Sequence, residues 1–345
     1  MRLLQFRDPS APKPARLGLV ENDMVLDLTS CEPCPESVYD LYFIHGGDSV
    51  GLEGAIARID TAGAPAYRLS DLMDSDPCAE RRHLTVPVTP PPGQPHRLRV
   101  WLAGVTHADS ARLRETEAKE ATGGAVNVYD QKYRECAQGG IPELFAKTDA
   151  DALAGHRGLV SRPDDTRRLV PETELVTLYG LNASGQIERL GFTGGNDYTD
   201  NGIEAENPLN LPQAKNWHGG CASLGPVLVT DSEFDDASVA VSCEILRDNK
   251  RISRKTGRTG QSHLNMPDRL FHLERSLFGR LPLGDKSLQL LYWGTPIVFS
   301  EADLASGLQV NDTVRMSFGG IGDLQNSIGP FTRNRQLAWL EANRR

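Results

Sequence analysis

The fold is decided by two stretches of sequence, residues 170–178 (VPETELVTL) and residues 191–200 (GFTGGNDYTD). If the first stretch is a strand, Glu172 and Glu174 share one face, because residues two apart project to the same side. Two buried carboxylates side by side repel each other, and a divalent cation with oxygen ligands removes that repulsion. The second, glycine-rich stretch is predicted to be a turn that delivers Asp197 as a third oxygen ligand.

Neither stretch is specific by itself. A Glu-x-Glu pair on a strand is more often a solvated face, and an aspartate in a turn often accepts hydrogen bonds from its own backbone as an Asx turn. The succession of the two stretches in an apolar, β-rich context nevertheless favours a site for a hard cation such as Mg²⁺.

The segments beyond Val160 are short and apolar, and Gly, Asp and Asn separate them. This spacing predicts a predominantly β domain, a sandwich or roll with few helices. Residues 108–122 and 266–281 are predicted to be helices from their composition and from leucines on one face. Residues 204–215 contain two prolines and no core pattern, which predicts an ordered loop lining a site.

The N-terminal region looks like a smaller α/β unit. Its apolar patterns predict four short elements, which are strands at residues 16–20 and 24–28 and helices at residues 37–43 and 52–59. The five prolines within residues 87–95 cannot continue a helix or a central strand. We therefore predict a small N-terminal domain with a proline-rich linker, residues 1–96, and a larger second domain, residues 97–345, which contains the candidate metal ligands.

The composition excludes several classes of protein. A net charge of -9 does not suit a nucleic-acid-binding surface. No apolar run reaches the roughly 18 residues of a membrane helix, and the N-terminus has no apolar signal core, so we expect a cytoplasmic protein without membrane contact. The six cysteines include one lone CxxC pair, Cys31 and Cys34, and we expect neither disulfides nor structural zinc.

Five blocks of sequence, taken in order, resemble the signature of the fumarylacetoacetate hydrolase superfamily. They are E-x-E at 172–174, G-F-T-x-x-N-D ending at Asp197 and followed by Lys215, S-L-G-P-V-L-V at 223–229, W-G-T-P containing Thr295, and the pair N-D-T-V and I-G-D-L-Q-N at 311–314 and 321–326. The resemblance covers about residues 98 to 330. It implies an α+β, predominantly β fold, a mixed β-sandwich roll joined to the small N-terminal α/β domain.

The resemblance also implies the roles of individual residues. Glu172, Glu174 and Asp197 would hold Mg²⁺, with Mn²⁺ or Ca²⁺ as alternatives. Lys215 matches the active-site lysine, as a base or as an anchor for a keto acid. Glu143 and Lys147, in the block PELFAK, are assigned supporting roles in catalysis and substrate binding, and Thr295 and Asn201 are assigned to substrate binding.

The resemblance is greatest to the sugar-acid branch, the 2-keto-3-deoxy-arabinonate dehydratase-like members, and departs from the hydrolases of the superfamily. Ser110 stands where C–C hydrolases have a water-activating histidine, and the nearby His107 is interpreted as a packing or lid residue. Glu115 is a candidate acid or base, with a solvated helix face as the alternative. Asn201-Gly202 replaces an Arg-Asp pair, and Trp293 replaces a threonine.

Three functions follow from the resemblance. The first is a metal-dependent lyase that dehydrates a 2-keto-3-deoxy sugar acid through a metal-stabilised enolate, with Lys215, Ser110, Glu143 and Glu115 as catalytic candidates. The second is a C–C hydrolase of 2,4-diketo acids, and the third is a non-catalytic keto-acid-binding paralogue. For each of these functions the expected partner is a small 2-keto acid. The resemblance also implies a homodimer, because members of the family are commonly dimers.

Overall fold

The computed structural model describes residues 1–108, 128–331 and 335–343. Strands dominate, and in chain order they are β1 (Arg2–Arg7), β2 (Ala15–Glu21), β3 (Met24–Asp27), β4 (Ala66–Arg68), β5 (His83–Leu84), β6 (Leu98–Gly104), β7 (Glu143–Asp149), β8 (Leu153–Ala154), β9 (Leu159–Arg162), β10 (Leu169–Val170), β11 (Thr173–Leu181), β12 (Ile187–Asp197), β13 (Thr199–Asp200), β14 (Ala222–Thr230), β15 (Val239–Arg247), β16 (Lys250–Thr259), β17 (Leu288–Tyr292), β18 (Thr313–Phe318) and β19 (Gly322–Pro330).

The α-helices of the described residues are short. They are α1 (Val38–Phe43), α2 (Gly47–Val50), α3 (Leu52–Ile56), α4 (Leu69–Met73), α5 (Val128–Ala137), α6 (Asn201–Glu206), α7 (Leu211–Lys215), α8 (Leu270–Phe278) and α9 (Arg335–Ala342). Ser37 begins α1 as its N-cap, because its hydroxyl accepts a hydrogen bond from the Asp40 N–H at 3.0 Å.

The described residues form two extensive open sheets and one two-stranded pair. The large sheet has the order β4-β3-β2-β1-β14-β12-β11-β17-β6-β7, with β5 beside β1 and β8 beside β14. The smaller sheet has the order β16-β15-β18-β19-β9, and β10 pairs separately with β13. The predicted α+β, predominantly β fold is therefore confirmed.

The large sheet is covered on both faces. One core cluster joins Leu175 and Phe192 of the large sheet to Met316 and Phe318 of the smaller sheet. A second cluster joins the opposite face to α1 and α3. Because both faces are covered, all nine residues of β14 are buried, and the strand appears in the sequence as a continuous apolar run rather than an alternating one.

Residues 191–197 form the end of strand β12, so the predicted glycine-rich turn is wrong. A Cβ atom on Gly194 would lie 2.4 Å from the Phe318 ring, and one on Gly195 would lie 2.4 Å from the Tyr292 ring. These glycines let aromatic rings pack closely against both faces of an extended strand. Glycine in a strand can therefore mark close packing as well as a turn or bulge.

Two further predictions needed correction. Residues 204–215 are not an irregular loop, since α6 and α7 cover most of them, and the Asp200 carboxylate caps α6 by accepting from the N–H groups of Gly202 and Ile203. The helix predicted at residues 266–281 is real but shorter, spanning Leu270–Phe278. The helix predicted at residues 108–122 lies outside the described residues, apart from its first position.

The N-terminal strands continue the large sheet. Arg2 and Leu3 of β1 pair with Val229 and Leu228 of β14 in antiparallel register. The strands and helices predicted within residues 16–59 are present with slightly different ends. The division into domains at residues 1–96 and 97–345 stays a prediction. If it holds, the two domains share one sheet, because β1 pairs with β14.

No helix among the described residues is long and apolar enough to cross a membrane. All six cysteines are free, and four of them are buried. Cys31 and Cys34 therefore form no disulfide in this structure.

Gly194→Ala should lower the free energy of unfolding by about 1–3 kcal/mol, because the added methyl group overlaps the Phe318 ring between the two sheets. Chemical denaturation measures this change. Gly284→Ala is the control, since a Cβ there meets its nearest neighbour at an ordinary 3.6 Å. Equal stability of the two variants would contradict the packing role of Gly194.

Candidate metal centre and active site

The three predicted carboxylates converge at one end of strands β11 and β12. Glu172 and Asp197 are direct antiparallel partners, since each backbone N–H donates to the other residue's carbonyl oxygen, at 3.1 and 2.9 Å. Glu174 lies two residues further along, on the same side as Glu172. One carboxylate oxygen from each residue lies within 4.8 Å of the others.

These carboxylates are buried, with 3% exposure for Glu172 and none for Glu174 or Asp197. Burial raises the pKa of Glu174 well above its usual value, and the charges of Asp197 and Glu172 raise it further. Glu174 Oε2 accepts a hydrogen bond from the Gly294 N–H at 2.7 Å. Among the described residues, no hydrogen-bond donor reaches Glu174 Oε1.

Lys215, the last residue of α7, contacts two members of the triad. Its Nζ atom donates to Glu172 Oε1 at 3.0 Å, to Asp197 Oδ2 at 2.6 Å and to Thr199 Oγ1 at 2.7 Å. Only 3% of its surface is exposed. The predicted proximity of Lys215 to the metal ligands is therefore observed, and its ammonium group offsets part of their negative charge.

Lys147, from strand β7, approaches Asp197 from the other side. Its Nζ atom forms an ion pair with Asp197 Oδ1 and donates to the backbone carbonyls of Tyr198 (3.0 Å) and Lys215. The side chain is fully buried, and an ammonium group has three N–H donors. Because Lys147 has no exposed surface and is not among the residues that line the cavity beside the triad, it supports the ligands from behind, and the structure does not favour its predicted contact with substrate.

A small cavity opens beside the triad. Its polar lining includes Glu172, Lys215, Glu143, Thr295 and Gly294, and its apolar lining includes Leu102, Val105 and Phe145. Glu143 and Phe145 project to the same face of β7, because they lie two residues apart in the strand. Glu143 is the strand partner of Gly104, whose lack of a side chain leaves space for the Glu143 carboxylate.

The Thr295 side chain contacts backbone groups of the neighbouring segments. Its hydroxyl accepts from the Ile297 N–H, and its single proton can be donated to the carbonyl oxygen of either Thr173 (3.0 Å) or Ile297 (2.8 Å). The hydroxyl thereby fixes the segment after β17, next to Gly294 and its bond to Glu174. Thr295 lines the cavity, as predicted for a residue near the substrate, while its hydroxyl is already used.

Asn201 lies at the start of α6 and is not among the residues that line this cavity. Its side-chain oxygen accepts a hydrogen bond from the buried guanidinium group of Arg168. Trp293 is fully buried in the core, where its indole N–H donates to Thr177 Oγ1 at 2.8 Å. The replacement of the family's threonine by Trp293 is therefore accommodated in the core.

His107 is a packing residue in this structure. It is buried, and its ring nitrogens contact the hydroxyl groups of Thr106 at 2.8 Å and Thr259 at 3.1 Å. Burial lowers the pKa of His107 to about 3. The two remaining catalytic candidates, Ser110 and Glu115, lie outside the described residues.

Several groups that complete the site were not predicted. The Thr199 hydroxyl accepts a hydrogen bond from Lys215 Nζ, and the Gly294 N–H donates to the Glu174 carboxylate. The Asn196 side-chain oxygen accepts from the Glu172 N–H at 2.7 Å. The sequence carried a signal for Thr199, because it lies two residues beyond Asp197 in the same extended stretch. It carried none for the Gly294 N–H, which depends on how the segment after β17 packs.

The donor set suits a hard divalent cation. It consists of carboxylate oxygens alone, and one buried oxygen, Glu174 Oε1, lacks a hydrogen-bond donor among the described residues. A buried carboxylate oxygen without a donor is costly unless a cation compensates it. Glu172, Glu174 and Asp197 therefore fit the Mg²⁺ predicted from the sequence.

Comparison with known proteins identifies related sequences. The family model for the C-terminal region of fumarylacetoacetate hydrolase matches residues 118–329. A 2-dehydro-3-deoxy-D-arabinonate dehydratase of Saccharolobus solfataricus is 29% identical over 255 residues, which cover 74% of this chain and 76% of that protein. A probable 2-keto-3-deoxyxylonate dehydratase of Haloferax volcanii is 28% identical over 314 residues, which cover 91% and 95%.

Solved structures share the fold. A 2-keto-3-deoxy-D-arabinonate dehydratase complexed with magnesium and 2,5-dioxopentanoate matches with a TM-score of 0.68 and 22% identity, over 96% of this chain and all of that chain. A fumarylacetoacetate hydrolase from Exiguobacterium antarcticum matches with a TM-score of 0.63 and 20% identity, over the same shares. At these identities the likeness establishes the fold alone.

The double variant Glu172→Ala/Glu174→Ala should lose stoichiometric divalent metal, because only Asp197 of the three carboxylates remains. Elemental analysis of protein dialysed against Mg²⁺ or Mn²⁺ measures the content. Glu135→Ala/Glu301→Ala, which removes one half-buried and one exposed carboxylate that do not line the cavity, is the control and should retain the metal. If Glu172→Ala/Glu174→Ala kept its full metal content, the metal ligands would have to lie elsewhere in the protein.

Glu174→Gln should stabilise the metal-free protein at alkaline pH. A raised carboxyl pKa means that the folded protein holds this proton more tightly than the unfolded chain does. The wild type therefore loses stability as the pH rises from the unfolded pKa of about 4.3 through the folded pKa, and the glutamine variant lacks that loss. With a chelator present, the variant's Tm should exceed that of the wild type at pH 8, and the difference should shrink at pH 5. An equal or lower Tm at pH 8 would refute the electrostatic account.

Proposed function

The chain belongs to the fumarylacetoacetate hydrolase family, and we propose that it is a metal-dependent hydro-lyase that removes water from a 2-keto-3-deoxy sugar acid. The names of the Saccharolobus and Haloferax relatives support this substrate class. The observation that carries the proposal is one cavity that holds Glu172 of the triad, Lys215 and Glu143 together.

The reaction removes a proton from C3 and a hydroxyl group from C4 of the sugar acid. A divalent cation held by Glu172, Glu174 and Asp197 would polarise the 2-keto oxygen as a Lewis acid and so acidify the C3 protons. The remaining tasks fall to the protein, which must orient the keto acid, accept the C3 proton and give a proton to the departing hydroxyl. The unsaturated keto acid then tautomerises to a dioxo acid.

Lys215 is the proposed anchor of the substrate. Its ammonium group touches Glu172 and Asp197 and also lines the cavity, so a negatively charged oxygen placed there gains a nearby positive charge. Three acceptors surround its Nζ atom, and two of them are carboxylates, which favours the ammonium form. This geometry supports anchoring over the alternative of Lys215 as the base.

Glu143 is the proposed proton carrier. Its carboxylate lies in the cavity wall above Gly104, and a carboxylate within reach of C3 and of the C4 hydroxyl can take the first proton and return it to the leaving oxygen. Val105 and Phe145 add apolar surface to the lining of the same space. Ser110 and Glu115 stay candidates for assisting this transfer.

Hydrolysis of a C–C bond is the competing reaction, and it needs a base that activates water. His107 does not supply it, because the side chain is buried and both ring nitrogens contact hydroxyl groups. The proposal of a lyase rests in part on this placement.

Three finer expectations remain part of the proposal. We expect Mg²⁺ as the physiological ion, with Mn²⁺ or Ca²⁺ able to take the same oxygen ligands. We also expect a homodimer and a cytoplasmic location. Sedimentation analysis of the purified chain tests the first of these two, and cell fractionation tests the second.

Incubation with Mg²⁺ and either a 2-keto-3-deoxy sugar acid or an acylpyruvate separates the candidate functions. A dioxo acid formed from the sugar acid without chain cleavage is the expected product. Release of pyruvate from the acylpyruvate would make the protein a hydrolase. Metal-dependent binding without turnover of either compound would make it a non-catalytic paralogue.

Glu143→Gln should lower kcat for dehydration by about 10²–10⁴, because the amide cannot carry the proton. Metal content should stay unchanged, since Glu143 is not one of the ligands. Glu135→Gln, at a half-buried position of α5 that does not line the cavity, is the matched control. A kcat within threefold of the wild type would remove Glu143 from the mechanism.

A further inference from the structure

Lys147 is a buried cation that has no role in the proposed mechanism and does not line the cavity. The side chain has no exposed surface, and its ammonium group lies between Asp197 Oδ1 and the carbonyl oxygens of Tyr198 and Lys215. The ring of Trp217 lies 5.5 Å from Nζ and closes another side. A lysine this deep is rare unless a charge partner compensates it.

Lys147 gives Asp197 a second cation. Lys215 contacts Asp197 Oδ2 at 2.6 Å, while Lys147 pairs with Oδ1, so both oxygens of one carboxylate face an ammonium group. Glu174 has no such partner among the described residues, and it accepts a hydrogen bond from the neutral Gly294 N–H. The positive charge is thus concentrated on the Asp197 side of the triad.

The second cation changes the charge of the loaded site. With its ligands deprotonated, the triad carries three negative charges and the two lysines carry two positive charges, which leaves one negative charge. A divalent ion turns this into one positive charge, which offsets the Glu143 carboxylate in the same cavity and so lessens the repulsion of a keto acid's carboxylate. Without Lys147, the triad, the remaining lysine and the ion would together be neutral.

We propose that Lys147 is a positioning and specificity-determining residue, which sets the charge of the metal-loaded triad so that it retains an anionic ligand. This inference rests on the proposed function, because it assumes a metal at the triad and a keto acid in the cavity. Lys147 acts through Asp197 and through the carbonyl of Lys215, without touching the substrate. Glu143 adds its own charge equally with or without Lys147, so a comparison of variants isolates the lysine.

Loss of the Lys147 charge should have opposite effects on the binding of the metal cation and on the binding of an anion. Removing a buried positive charge lessens the repulsion of the incoming metal ion, so its affinity should not fall. The same removal weakens the attraction for an anion in the cavity. At an effective dielectric constant of about 20, one unit charge several ångströms away changes binding by about tenfold or more.

Titration calorimetry of Lys147→Met with Mn²⁺, and then with oxalate on the Mn²⁺-loaded protein, tests the proposal. The expected result is an Mn²⁺ affinity equal to or above that of the wild type, with an oxalate affinity lower by tenfold or more. Lys147→Gln, whose amide N–H groups can still donate to a carbonyl, should behave in the same way and serves if the methionine variant does not fold. Lys255→Met, which removes a partly exposed lysine paired with Asp303, should change neither affinity.

A parallel loss of Mn²⁺ and oxalate affinity in both Lys147 variants would show a merely structural role and overturn the proposal. An oxalate affinity within twofold of the wild type would also overturn it. Failure of the proposed function gives a different result, since the wild type would then bind Mn²⁺ and oxalate without dehydrating any sugar acid. A wild type that binds neither Mn²⁺ nor oxalate would contradict both.

Discussion

Three carboxylates buried within 4.8 Å of one another are the constraint on which the rest of the structure depends. Buried like charges at this distance are strongly unfavourable without compensation. The protein supplies two ammonium groups, both on Asp197, and leaves Glu174 with a raised pKa and one oxygen without a donor among the described residues. A divalent cation would compensate the Glu174 oxygen that these groups leave without a donor, so the fold holds a site suited to a metal ion.

The large sheet provides the rigidity that such a site needs. Glu172 and Asp197 exchange backbone hydrogen bonds where β11 and β12 meet, and the glycines of β12 let the rings of Phe318 and Tyr292 pack against the strand. Strand β7, at the edge of the same sheet, presents Glu143 to the cavity and Lys147 to Asp197. Ligands, proton carrier and counter-charge therefore have fixed relative positions.

The sequence predicted much of this site because strand alternation and an ordered set of motifs carry it. Glu172 and Glu174 follow from the two-residue period, and Lys215 and Glu143 follow from the family resemblance. The turn predicted around Asp197 was wrong because glycine also permits close packing of an extended strand, and only the partner rings reveal which reason applies. The inward direction of Lys147 depends on the pairing of β7 with β6, which no local pattern encodes.

Anomalous diffraction from crystals soaked in Mn²⁺ tests the central claim most directly. The account predicts one strong manganese peak in each chain, about 2 Å from oxygens of Glu172, Glu174 and Asp197, with Nζ of Lys147 still beside Asp197. A peak bound by other residues, or an occupied site that omits Glu174, would contradict the account. The same would hold if Lys147 had left Asp197 in the loaded protein.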